Sequence, residues 1–142
     1  MPFEQVFGIL AAVLFGLQFG SFLNVVVWRL PRMLEREWQA LSGPEVAADT
    51  EPVFNLSTPR SHCPHCRTPL RWRDLVPLLS YLFLRGRCAH CDAPIAWRYP
   101  AVELAVAVVW GWSAWRWGIT PAALVWAGFF TTLLGLALID AD

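Results

Sequence analysis

The chain has 142 residues, 56% of them apolar and 15% charged, with nine Trp and a net charge of +0. A mean hydropathy of +0.44 excludes an ordinary soluble domain and puts membrane insertion first; with no basic excess, no nucleic-acid partner is expected. All eleven basic residues are Arg, and ten lie between Arg29 and Arg98, so the neutral average hides a basic middle between two apolar ends.

In chain order, residues 6–28 come first, 23 positions without a charge, long enough to cross a hydrocarbon core about 30 Å thick. No Arg or Lys precedes the run, and it exceeds the roughly 7–15 residue apolar region of a cleaved signal peptide, so a retained anchor is expected. Inside it, Gly16 and Gly20 form a small-x-x-x-small pair that admits a second helix backbone. Ser21 and Asn24 follow; an amide within a span needs a partner, and Asn24 reads either as glue between helices or as part of a polar site. The polar segment 30–100 opens with a short amphipathic helix over 32–41 and a loop over 43–59. Its apolar run 74–86 is too short to cross a bilayer and either packs on the cysteine module or lies at the membrane surface. Residues 101–117 and 122–139 are the second and third expected spans. The arginine bias makes the middle segment cytoplasmic and places the N-terminus and the 118–121 turn outside, with Asp140 back at the cytoplasmic face; Arg116 alone opposes this.

The four cysteines stand as CPHC, Cys63 and Cys66, and CAHC, Cys88 and Cys91. Two tight knuckles of this kind complete the tetrahedron that Zn²⁺ accepts, although the 21-residue gap lies just beyond the usual zinc-ribbon range. Disulfides are the main rival, disfavoured by a reducing compartment and by the two-residue spacing; a redox role would need a βαβ setting. A closed site of four Cys is structural: it folds the segment and does not catalyse. His62, His65 and His90 are read as bystanders, and Arg67, Arg71, Arg73, Arg85 and Arg87 as counter-charge for a tetrathiolate.

At the C-terminal end, Asp140 closes the third span where the helix dipole disfavours negative charge. It is either a solvated helix end or a functional carboxylate. Asp142, two residues on, points about 200° away and cannot be its catalytic partner. Glu103 lies near the same boundary, with Arg98 close enough in sequence to suggest an ordinary ion pair.

Five ordered blocks, GSFLNVVVWRLPRM (20–33), CPHC (63–66), VPLLSYLFLRGRCAHC (76–91), RYPAVEL (98–104) and LIDAD (138–142), resemble the N-terminal half of bacterial type IV prepilin leader peptidases/N-methyltransferases. The resemblance implies an enzyme of the bacterial inner membrane that cleaves prepilin or pseudopilin leaders after glycine at the cytoplasmic face. It then methylates the new N-terminus with S-adenosyl-L-methionine, for type IV pili or type II secretion. It makes Asp140 one member of an aspartyl pair and Cys63, Cys66, Cys88 and Cys91 the ligands of a structural zinc ion. It assigns the second aspartate to a Gly-x-Gly-Asp motif that follows a Leu-Pro-Asp block in the family, so these 142 residues alone are expected to lack peptidase chemistry. A fragment of a longer enzyme and an interrupted gene product both fit. The rival reading is a non-catalytic membrane protein that shows a zinc-knuckle domain to secretion-system partners. The expected fold is an all-α integral membrane protein embedded in lipid. It has about three transmembrane helices, at 1–29, 101–117 and 120–142, and a small cytoplasmic zinc-knuckle domain over 30–100.

Overall fold

The computed structural model describes residues 2–42 and 53–141; part of the loop expected over 43–59, and Asp142, lie outside them. The regular structure of the described residues is helical, with two isolated antiparallel bridges, His62 with Pro69 and Arg87 with Pro94, in the irregular segments between helices. Four α-helices follow in order, α1 (Phe3–Ser42), α2 (Leu79–Phe83), α3 (Arg98–Trp117) and α4 (Pro121–Asp140), with one 3-10 turn at Trp72–Leu75.

The first helix does not stop near residue 29. It runs 40 residues to Ser42 with Pro31 inside it, about 60 Å at 1.5 Å per residue and twice a bilayer core. Proline leaves the ladder one donor short; beside that gap the Arg32 guanidinium donates to the Trp28 carbonyl one turn back and stacks 4.2 Å from the Trp28 ring. The amphipathic helix expected over 32–41 is therefore the C-terminal quarter of α1.

Of the buried positions of α1, Gly8, Gly16, Gly20, Leu23 and Val27 form one stripe, and Arg29 lies off it. Against it α3 runs antiparallel: Gly16 faces Ala107 and Gly20 faces Glu103, and a Cβ on either glycine would come within 2.7 Å or 2.6 Å of the opposing Cα. The small pair read in the sequence is thus the seam where two backbones meet. Replacing Gly20 with Leu is expected to destabilise the bundle by about 1–3 kcal/mol through overpacking. Gly128→Leu is the matched control, because a Cβ at Gly128 meets nothing within 4 Å. Thermal unfolding in detergent compares them; equal midpoints would refute the seam.

Gly118 ends α3 with φ +69, a conformation open to glycine, and its N–H closes on Ala114 O. Pro121 opens α4 at the first turn, where no N–H is needed. Turning back, α4 packs antiparallel to α3, with Trp110 Nε1 donating to Thr131 Oγ1 at 3.2 Å and Arg98 donating to Leu138 O at 3.3 Å. Leu134, Leu138 and Ile139 close on the core of Leu23, Val27, Val102 and Val106.

Two helices, α1 and α4, are long and apolar enough to cross a membrane, each containing an 18-residue stretch of mean hydropathy 2.1. The second expected span, α3, has 20 residues but includes Arg98, Glu103 and Arg116. It packs against both neighbours, which shields much of its surface and lowers the hydropathy its position requires.

Candidate functional site

Each cysteine pair sits in the same small loop. In the first, Cys63 N–H donates to Thr68 O, Arg67 N–H to Cys63 O and Leu70 N–H to Ser61 O. The pattern recurs 25 residues on, where Cys88 N–H donates to Ala93 O, Asp92 N–H to Cys88 O and Ile95 N–H to Gly86 O. Arg67 and Asp92 take φ values of 55 and 59 at the matching position, the left-handed residue that folds the chain back. Tight turns with their own hydrogen bonds form from local sequence, which is why CPHC and CAHC were readable as knuckles.

The two knuckles face one another and bring all four sulfurs within 4.8 Å. Cys63 Sγ and Cys91 Sγ lie 3.7 Å apart, too far for a disulfide at about 2.05 Å. A tetrahedral ion with Zn–S bonds of about 2.3 Å sets its sulfurs about 3.8 Å apart. Electrostatics point the same way. The Thr68 side chain and backbone N–H bring the Cys66 thiol down to about 6, and the His90 and Cys91 N–H groups lower Cys88. Cys91, although the Ala93 N–H favours its anion, is pushed up to about 12 by lost solvation and by the other three sulfurs. Three neighbours that resist a fourth negative charge need a dication to stabilise the full tetrathiolate. The four cysteines fit a metal ion, and their geometry is consistent with zinc. His62 instead places Nδ1 3.0 Å from Arg60 O, and among the described residues no histidine joins the sulfur cluster. Of the arginines expected as counter-charge, Arg87 is held by Asp92 at 2.8 Å on the surface.

Between this module and the bundle lies a cavity of about 530 Å³. The apolar run 74–86 forms part of its wall: Tyr81 and Leu84 line the cavity, whereas Leu79, Leu82 and Phe83 stay exposed. Glu103, 8% exposed, reaches it from α3. Its Oε2 accepts the Leu78 N–H at 2.8 Å, and Ser21 lines the same cavity. Leu78 has φ 57 and ψ −46, and Leu79 N–H closes on Pro77 O at 2.6 Å. This is a three-residue γ-turn of the rare, strained kind, which the buried carboxylate holds. Asn24 lies beside it and donates to Tyr99 O at 3.1 Å, so it joins α1 to α3 and lines the cavity as well.

Arg29 was not singled out in the sequence. It is 5% exposed, donates to Asn55 O at 2.7 Å and Pro59 O at 2.6 Å, and ties the segment leading into the first knuckle to α1. A signal for it was present in its position immediately after the span, but that signal marks a snorkelling surface arginine equally well. Asp140 is exposed in the last turn of α4. Because α4 and α1 are parallel and Gly135 meets Leu23, Asp140 lies at the end of the bundle that carries the cysteine module.

Comparison with known proteins follows the same arrangement. Residues 14–117 match the Bacterial Peptidase A24 N-terminal domain family. Prepilin leader peptidase/N-methyltransferases from Pseudomonas aeruginosa and Aeromonas hydrophila are 45% and 48% identical, over 94% and 91% of this chain and 47% and 46% of their own lengths. The Neisseria gonorrhoeae protein of the same name is 42% identical over 94% of this chain and 48% of its own. The chain thus spans about half the length of the curated relatives it matches. No solved structure matches it. With the family match running from inside α1 through both knuckles to the end of α3, the chain belongs to the bacterial prepilin leader peptidase/N-methyltransferase family, to whose N-terminal part it corresponds.

Proposed function

We propose that this chain is the N-terminal part of an inner-membrane enzyme that removes prepilin or pseudopilin leaders after glycine and methylates the exposed α-amine. The observation that carries this reading is the family match, together with the position of Asp140 at the end of the bundle that carries the cysteine module. In this reading α1, α3 and α4 all span the membrane, with the N-terminus outside and the cysteine module in the cytoplasm.

Peptide hydrolysis at that face uses two carboxylates that share a proton. One takes a proton from the attacking water and the other gives one to the leaving amine as the C–N bond breaks. Asp140 supplies one, and the resemblance assigns the other to the Gly-x-Gly-Asp block of the longer family members. The zinc ion, held by Cys63, Cys66, Cys88 and Cys91, is structural and keeps the two knuckles together. S-adenosyl-L-methionine supplies a sulfonium-bound methyl group, whose transfer to the amine leaves a neutral thioether and releases a proton. The chain's own task there is to bind and orient both reactants at the membrane surface.

The test joins this chain to the C-terminal half of the Aeromonas hydrophila relative, in membranes from cells without their own peptidase. Mass spectrometry of an added prepilin is expected to find the leader removed and one methyl group on the new N-terminus. An intact product, under conditions in which the whole relative cleaves, would refute the assignment.

A further inference from the structure

The cavity between the cysteine module and the bundle is not accounted for by zinc binding or by hydrolysis at Asp140. Its volume of about 530 Å³ falls in the range of sites for whole small molecules. Its charges are bipolar. Glu103 sits at one part of the lining, next to Ser21, and Arg29 at another. Ser21 and Arg29 are eight residues apart on α1, about 12 Å along its axis. Near Glu103 most of the remaining polar capacity accepts: Asn24 gives one of its two amide N–H groups to Tyr99 O and keeps its oxygen, and the carboxylate retains lone pairs beyond its bond to the Leu78 N–H. Trp28, Tyr81 and Tyr99 add aromatic surface, which suits both a flat base and a cation.

We infer that this cavity binds S-adenosyl-L-methionine, with the Glu103 carboxylate as counter-ion to its positively charged sulfonium end and Arg29 on the side of its carboxylate. The inference rests on the methyl transfer proposed above and gives it a location. A buried carboxylate already holding a backbone turn is fixed in place, so it meets a cation without reorganising. The same carboxylate offers much less to S-adenosylhomocysteine, whose sulfur is neutral. Glu103 is therefore expected to set the preference between the two compounds.

Binding of both compounds is measured by equilibrium dialysis on the whole chain in lipid nanodiscs, with zinc content as the control for folding. The wild-type chain is expected to favour S-adenosyl-L-methionine about tenfold. Glu103→Gln keeps an oxygen for the Leu78 N–H and is expected to abolish that preference by weakening only the sulfonium compound. Ser80→Trp, which fills the cavity from α2, is expected to lose both ligands while zinc stays bound. Equal weakening of both compounds by Glu103→Gln, or wild-type binding in Ser80→Trp, would overturn the assignment. Displacement of neither compound but binding of a peptide with a free N-terminal Phe would give the cavity to the peptide amine instead. Absence of binding by the wild-type chain would also defeat the inference, while the joined enzyme described above reports separately whether methylation occurs at all.

Discussion

Cys63→Ser combined with Cys66→Ser is expected to empty the metal centre and unfold the knuckle module, leaving the three long helices assembled. Wild-type chain should carry about one zinc ion per molecule by atomic emission, and the double variant less than about a tenth of that. The effect is large because the module has little else to hold it. Among the described residues its regular pairing is two isolated bridges, and its buried apolar content is largely the cysteines themselves, Cys63 and Cys88. Structural zinc contributes about 10–16 kcal/mol of apparent binding free energy in comparable knuckles, far more than such a core supplies. Limited proteolysis is the second readout: new cuts should cluster between residues 60 and 95, with α1, α3 and α4 protected. A double variant that keeps its ion, or a metal-free module that resists protease as the wild type does, would remove the metal from the account.

Asp140→Asn, introduced into the full-length enzyme, is expected to reduce leader cleavage by at least about a thousandfold, since an amide cannot take a proton from water at that position. Asn keeps the shape and the exposed setting of Asp140 in the last turn of α4, so zinc content and thermal stability should not change. It also removes an unfavourable charge from the helix C-terminus, which if anything favours the fold slightly. Persistent cleavage with Asn at 140 would reduce Asp140 to the polar end of a span and locate the peptidase chemistry elsewhere.

How much of this was legible beforehand depends on the range of each interaction. CPHC and CAHC could be read because each knuckle closes on itself within about ten residues, through bonds such as Arg67 N–H to Cys63 O. Gly16 and Gly20 could be read because the four-residue spacing belongs to the helix itself. The first span was read as ending at residue 29, with a separate short helix over 32–41; the structure joins the two into one helix through Pro31, beside which Arg32 bonds the Trp28 carbonyl and stacks on its ring. Glu103 was read against Arg98, its neighbour in sequence. The two are five residues apart on α3, about 140° around the helix, and the carboxylate turns instead to the Leu78 N–H, 25 residues earlier.

Composition and motif spacing by themselves determined a helical chain with apolar helices of membrane-spanning length and a four-cysteine cluster, because hydrophobic length, helical period and knuckle turns are properties of short segments. Only the tertiary structure decided that Glu103 and Arg29 are buried and that Asn24 joins two helices beside a cavity. The partners of Glu103 and Arg29 are backbone groups, a Leu78 N–H and the carbonyls of Asn55 and Pro59. Every residue but proline carries both such groups, so no residue type marks them in a sequence; they become partners only when packing brings distant segments together.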